Sequence, residues 1–176
     1  GGIIIDGKIY SGFNHFGGKL GHAVIVKDGR QCTCGRKGCL EAYTSATALV
    51  KMTQEAMEAN KDSKLWEVAK TLEEVNGKTA FDAMRMGDPV GTELVDQYIQ
   101  YLGCGLANFV NIFQPEVLLI GGGLSKEGET LLAPLREILK EETYGISGVK
   151  STTLKTCALG NDAGTIGAAF LWKIYA

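Results

Sequence analysis

Apolar residues first recur in short extended runs, then at helical spacing, then in one unbroken run, and the predicted elements follow those changes. Ile3-Ile4-Ile5, Asp6-Gly7 and Lys8-Ile9-Tyr10 read as strand, turn and strand, since Asp-Gly accepts the positive φ angles of a type I′ hairpin. A glycine-rich loop from Ser11 to Gly18 leads to Gly21-His22-Ala23-Val24-Ile25-Val26. That stretch reads as a third strand, ending at the Lys27-Asp28-Gly29 turn, with His22 at its start facing the cysteine-bearing loop.

From Cys39 the spacing turns helical. Cys39 to Tyr43 predicts a short helix, and Ser45 is placed to cap a longer one carrying Leu49, Met52 and Met57. Ser63 caps a helix from Leu65 to about Val75, Asn76-Gly77 breaks it, and a further short helix runs from Ala80 to Met86. Asp88-Pro89 is an N-cap followed by proline at the first helical position, and it opens the longest pattern, reaching about Phe113. Its apolar face holds Val90, Leu94, Tyr98, Tyr101, Leu102, Leu106, Phe109 and Val110, and Gly103 and Gly105 permit a close crossing. Val117-Leu118-Leu119-Ile120 is apolar without alternation, as in a strand buried on both faces. A helix from Glu129 to Glu142 and a strand near Ser151 to Cys157 come next. The last helix is capped by Asn161-Asp162 and runs through Ala168, Phe170, Leu171 and Ile174. This order predicts an α/β domain with a mixed sheet and flanking helices, without a repeat or an internal linker.

Composition narrows the function classes. With 176 residues, 45% hydrophobic and 22% charged, the chain can bury about two-thirds of its unfolded surface without disulfides, which excludes disorder. Its 24 glycines are about twice the usual ~7% share. A net charge of -2 offers no basic surface for nucleic acid, and the apolar runs are far shorter than the ~20 residues that span a bilayer. Direct contact with nucleic acid or membrane is therefore not expected. The chain opens on Gly1-Gly2, directly in a strand-like run and without methionine or signal peptide, and so reads as one portion of a longer protein.

Five cysteines are an odd number, and Cys32, Cys34 and Cys39 crowd together in a way that pairwise disulfides would not require. In a reducing cytoplasm, the expected compartment, clustered thiols bind metal more often than they pair. His22 with Cys32, Cys34 and Cys39 supplies one imidazole and three thiolates, a closed tetrahedral set for a structural Zn2+. Gly35 and Gly38 give the loop a tight knuckle that can turn amides toward sulfur. Free, partly buried thiols are the alternative reading. Cys104 and Cys157, in a helical pattern and near a strand end, read as small buried hydrophobes.

Gly121-Gly122-Gly123 follows a strand and precedes a helix, where open α/β sheets receive ligands and bare backbone lets a nucleotide approach. A tight turn with no ligand explains the triplet about as well. Glu41, two residues after the last thiol, could accept hydrogen bonds from a polyhydroxylated ligand, or could be a first-turn glutamate favoured by the helix dipole.

Together these segments resemble the ROK family, named for repressors, open reading frames and sugar kinases. Gly2-Ile3-Ile4-Ile5-Asp6-Gly7 is similar to its hairpin after the first phosphate loop. Gly21-His22 with Cys32-Thr33-Cys34-Gly35-Arg36-Lys37-Gly38-Cys39-Leu40-Glu41 is similar to its zinc and sugar signature, the most specific of the matches. Leu119-Ile120-Gly121-Gly122-Gly123-Leu124-Ser125 is similar to its second nucleotide loop, and Leu159 to Ala169 to its closing helix.

The resemblance covers the chain as the family's C-terminal portion, residues 1–176, with a zinc-binding insertion at 22–39 and an N-terminal domain expected upstream. It implies an actin-like, ribonuclease-H-like ATPase fold and ATP-dependent phosphorylation of a hexose or related sugar, glucokinase-like, with Mg2+ accompanying ATP. A sugar-responsive transcriptional repressor of the same family is the alternative. By this resemblance His22 ligates zinc through one ring nitrogen and meets a sugar hydroxyl through the other, Glu41 is a second sugar contact, and Gly121, Gly122 and Gly123 border the nucleotide. The base, an aspartate, is expected upstream of Gly1, so the chain alone is expected to be inert. A homo-oligomer is also implied. One departure bears on the substrate: the family pattern is Gly-Glu-x-Gly-His, whereas here Gly18-Lys19-Leu20-Gly21-His22 stands. A cation in place of an acceptor suggests that Lys19 meets an altered sugar, such as one with an anionic group, or marks a weakened or purely regulatory sugar site; a surface lysine on a loop is the alternative reading.

Overall fold

The computed structural model describes residues 1–145, 149–171 and 173; the side chain of Asn161 and residue Ile174, both assigned above to the last helix, lie outside the described residues. At the start, β1 (Ile4–Ile5) and β2 (Lys8–Ile9) pair antiparallel, with Ile4 opposite Ile9. Asp6 and Gly7 take φ of 52° and 73°, the pair of positive values that a type I′ turn requires.

The third strand is not formed. A short 3-10 turn, Leu20–His22, stands there instead, and only an isolated bridge joins Val24 to Cys39. The physical reason is in the hydrogen bonds: Gly38 O accepts from both Ile25 N–H (2.9 Å) and Val26 N–H (3.2 Å), so the backbone that would build a ladder is spent on the cysteine loop. The described strands make two separate two-stranded ladders and not the one mixed sheet expected, although the chain as a whole is mixed α/β.

Helices α1 (Glu41–Thr44) and α2 (Ala46–Ala59) follow, and Ser45 Oγ accepts from Ala48 N–H at 3.0 Å as an N-cap. The helix predicted from Leu65 to Val75 is much shorter. It ends as α3 (Leu65–Val68), Ala69 is extended, and a 3-10 turn covers Leu72–Glu74. Glu74 Oε2 takes the Lys70 amide at 2.7 Å and the Gln54 amide nitrogen binds Leu72 O at 2.8 Å, so side chains capture groups that a helix would have needed. The chain continues through α4 (Thr79–Arg85) into α5 (Pro89–Phe113).

Asp88 caps α5 and ties it to the start of α3. Its carboxylate accepts from Gly91 N–H (2.9 Å), Ser63 Oγ (2.7 Å) and Lys64 N–H (3.1 Å). Burial opposes its ionisation, but those hydrogen bonds prevail and hold its pKa below the ordinary value. Because folding lowers this pKa, the stabilisation is complete above the unfolded value of about 3.9 and is lost as pH falls through the lower folded value. Asp88→Ala should cost about 2–4 kcal/mol near neutral pH, a lost cap plus a stranded buried Ser63 hydroxyl. Urea melts of both proteins will show that gap narrowing below about pH 4; a gap constant across pH would contradict this account.

Close packing of α5 depends on its glycines. A Cβ at Gly103 would lie 2.7 Å from Ile138 Cδ1 of α6 (Glu129–Glu142), and one at Gly105 would lie 2.5 Å from Leu40 Cδ2. Phe81, Leu49, Met57, Leu65, Leu131 and Leu135 are fully buried in the shared core, each worth about 1.5–3 kcal/mol of transfer. Cys104 and Cys157 are half-buried, less enclosed than expected.

Strand β3 (Val117–Ile120) pairs in parallel with β4 (Thr153–Thr156), Val117 opposite Thr153, with α6 as the crossover. Leu118 and Ile120 pack on the core, but Val117 and Leu119 are 43% and 56% exposed, so β3 is covered on one face within this chain and not on both. The final α7 (Ala163–Phe170) is not capped by Asp162, the half of the predicted Asn161-Asp162 cap whose side chain lies within the described residues. Asp162 is already in helical conformation at the end of the 3-10 turn Gly160–Asp162 and makes no capping hydrogen bond through its side chain. Among the described residues no helix is long and apolar enough to cross a membrane.

Candidate metal centre and glycine loop

The cysteine loop is a folded knuckle. Gln31 bridges to Lys37, Cys32 N–H donates to Arg36 O at 2.8 Å, and Gly35 N–H donates to Cys32 O at 3.1 Å. Gly38 is obligatory: its φ is +79°, and a Cβ there would lie 1.6 Å from Val26 O. Behind the loop Tyr43 packs on Tyr101 and its hydroxyl accepts from Arg30 N–H at 2.7 Å; Gly29 leaves the room for it, since a Cβ at Gly29 would lie 2.1 Å from that oxygen. The Arg30 guanidinium forks onto Glu55 of α2 at 3.0 and 2.7 Å. The loop is thus tied to α1 and α2 from the rear.

At its centre the four predicted ligands meet. One atom each from His22, Cys32, Cys34 and Cys39 all lie within 4.8 Å of one another. His22 Nδ1 is 3.7 Å from Cys32 Sγ, and Cys34 Sγ is 3.6 Å from Cys39 Sγ. Sulfur ligands at ~2.3 Å on a tetrahedral ion stand about 3.8 Å apart, close to the two separations just given, so the donor set is of the type and spacing that a closed tetrahedral shell uses. The Arg36 amide, turned toward sulfur as the glycine pattern predicted, lowers the Cys34 pKa. Burial, and then the neighbouring thiols, push Cys39 up to about 11. A divalent cation reverses that second effect, because it stabilises the thiolate that crowding opposes.

Glu41 lies against this centre as the first residue of α1. Its Oε1 accepts from Thr33 Oγ1 at 3.3 Å, and a Cβ at Gly21 would lie 3.5 Å from its Oε2, so Gly21 and the Glu41 side chain stand side by side. A groove of about 530 Å³ opens beside it, lined by Arg30, Thr33, Glu41, Ser45 and Lys51 among others. His22 turns Nδ1 to the sulfurs, which leaves Nε2 on the opposite side of the ring. Lys19 precedes the 3-10 turn; its carbonyl accepts from His22 N–H at 3.0 Å and its side chain is exposed.

The glycine triplet forms a separate feature. Gly121 directly follows β3, Gly122 has φ of 83°, and Gly123 begins a 3-10 turn, Gly123–Glu127, ahead of the helix expected from Glu129. Gly128, at φ 58°, resets the direction before α6. A Cβ at Gly122 or Gly123 would meet nothing within 4 Å, so the open side of this loop is free to receive a ligand.

Thr33, Tyr43 and the Arg85–Glu127 ion pair were not singled out by sequence. A threonine alternating with two cysteine ligands was a usable signal for an outward-facing hydroxyl. The other contacts join residues too far apart in sequence to be paired by spacing.

The glucokinase of Thermotoga maritima is 36% identical to this chain over 173 residues, 98% of the chain and 54% of that protein. The xylose repressor of Caldicellulosiruptor bescii is 32% identical over 145 residues, 81% of the chain and 36% of the repressor. A crystal structure of a ROK family glucokinase from Streptomyces griseus in complex with glucose and AMPPNP superposes with a TM-score of 0.86 at 33% identity, over 97% of this chain and 55% of that one. The chain spans about half the length of the glucokinases it matches. With a model of the ROK family matching residues 1–174, over both the cysteine knuckle and the glycine loop, the chain belongs to the ROK family.

Proposed function

We propose that this chain is the sugar- and nucleotide-facing C-terminal portion of an ATP-dependent hexose kinase with an actin-like ATPase fold. The observation that carries the reading is the convergence of His22, Cys32, Cys34 and Cys39 next to Glu41. In this reading Zn2+ sits among the four ligands as a structural ion. It holds the knuckle in shape, so that His22 Nε2 and the Glu41 carboxylate present one donor or acceptor edge to sugar hydroxyls. The zinc performs no step of the reaction.

The Gly121-Gly122-Gly123 loop borders ATP, whose phosphates are accompanied by Mg2+. The γ-phosphoryl group passes from ATP to a sugar hydroxyl, leaving ADP, and the hydroxyl proton goes to the aspartate that the family resemblance places upstream of Gly1. Lys19 faces the sugar side as an added cation and favours a substrate carrying an anionic or strongly accepting substituent. Assembly as a homo-oligomer belongs to the same reading.

The test is direct. The full-length protein, with zinc and magnesium, will consume ATP with at least one member of a panel of hexoses, N-acetylhexosamines and glycosides; no turnover with any of them would sink the kinase reading. Lys19 in place of the family glutamate, together with the likeness to a xylose repressor, favours one second reading, a sugar-responsive repressor. Sugar-dependent release of DNA by the full-length protein, without ATP turnover, would establish that instead.

A further inference from the structure

The Gly121-Gly122-Gly123 loop is held from outside. Gly122 and Gly123 have no neighbours on their open side, and only Gly121 is crowded, with a Cβ there 3.1 Å from Cys157 Sγ. The loop's position therefore comes from what flanks it. Upstream, Cys157 N–H donates to Ile120 O at 2.8 Å and fixes the end of β3. Downstream, the 3-10 turn is held at two points. Leu124 fills a notch at Gly77, where a Cβ would lie 3.3 Å from Leu124 Cδ2 and 4.0 Å from Ala46 Cβ. Glu127, its side chain only 3% exposed, is paired with the Arg85 guanidinium at the end of α4.

The guanidinium is oriented before it meets Glu127, because its Nη1 binds Asp82 Oδ1 one turn earlier at 2.7 Å. A buried carboxylate paired across elements is weak evidence for stability, since apolar residues could fill the same space; the best-attested use of such a pair is to fix register. An apolar contact such as Leu124 on Gly77 is non-directional and lets the turn slide. The Arg85–Glu127 pair has one geometry and does not.

We propose that Arg85 and Glu127 are positioning residues for the Gly121-Gly122-Gly123 loop, setting its height against α4 for a bound nucleotide; this rests on the nucleotide role given to the loop above.

The test uses the full-length protein and three variants: Arg85→Met, Arg85→Lys, and Arg85→Met combined with Glu127→Leu. Affinity for AMPPNP and for the sugar is measured by calorimetry, alongside KM for ATP, KM for sugar and melting temperature. Arg85→Met should weaken nucleotide binding about tenfold while leaving sugar affinity within about twofold. Arg85→Lys should recover part of the loss. The double variant, free of a stranded buried charge, should recover the melting temperature but not the nucleotide affinity, and it keeps the test available if Arg85→Met alone does not fold. Nucleotide and sugar affinities falling together, or nucleotide affinity returning with the melting temperature, would overturn the positioning role. Wild-type protein that binds AMPPNP with variants that bind it equally well refutes this inference alone. Wild-type protein that binds sugar but no nucleotide refutes the nucleotide reading and the inference with it.

Discussion

Cys39→Ser will strip the metal from the full-length protein and abolish its sugar affinity in the same step. Cys39 is fully buried, and its Sγ lies 3.6 Å from that of Cys34. A serine hydroxyl keeps the volume but does not ionise to a soft ligand, so the shell loses one of its four donors. A structural zinc contributes on the order of 10 kcal/mol to folding around it, more than the loop from His22 to Cys39 could recover from its few hydrogen bonds. Sugar affinity should follow the metal because Glu41 begins its helix two residues later and leans on Gly21. Gly38→Ala is the companion variant: it keeps all four ligands, yet its Cβ would lie 1.6 Å from Val26 O, and the same loss is expected. Cys157→Ser, remote from the knuckle, should keep its zinc. Native mass spectrometry reads the metal directly, and about one zinc per wild-type chain is expected; wild-type protein without zinc, or Cys39→Ser with a full complement, would refute the metal centre.

Glu41→Gln should lower sugar affinity by about 10²–10³-fold while the zinc content stays unchanged. The amide preserves shape and one acceptor, but it removes the negative charge that makes two hydroxyl contacts strong. Hydrogen bonds to a charged group are worth about 1.5–3 kcal/mol each, and losing most of two of them gives that factor. Thr33 already occupies Oε1 at 3.3 Å, so the carboxylate is oriented before any sugar arrives and the loss falls on binding instead of folding. Lys19→Glu makes the complementary change: it restores the family's acceptor and should shift preference toward neutral sugars. Titration of each variant with the preferred sugar checks both. An affinity for Glu41→Gln within twofold of wild type would remove Glu41 from the sugar site.

The local features were legible because each depends on residues close in sequence. The Asp6-Gly7 turn, the Ser45 and Asp88 caps and the four-ligand cluster all follow from side-chain chemistry at short spacing. The errors came where a distant partner took over. Gly21 to Val26 has the residues of a strand, but Gly38 claims its amides. The helix expected to reach Val75 stops at Val68 because Glu74 and Gln54 take its backbone groups. Val117 to Ile120 reads as doubly buried, since an unbroken apolar run cannot say which face a given chain covers. In the site, the convergence of the four side chains was readable but their support was not: Tyr43 reaches back to Arg30, and Arg85 forward to Glu127, across separations that no periodicity marks.

The notch at Gly105 has a consequence for how selectivity can drift. Leu40 rests in it, and Leu40 is covalently joined to Glu41, so the depth of that notch sets where the carboxylate stands. A larger residue at Gly105, in the middle of the longest helix and remote in sequence, therefore presses on Leu40 and through it on the start of α1, where Glu41 stands. If Glu41 has the sugar role proposed above, substrate preference is open to retuning from the scaffold while every residue from Cys32 to Glu41 stays the same.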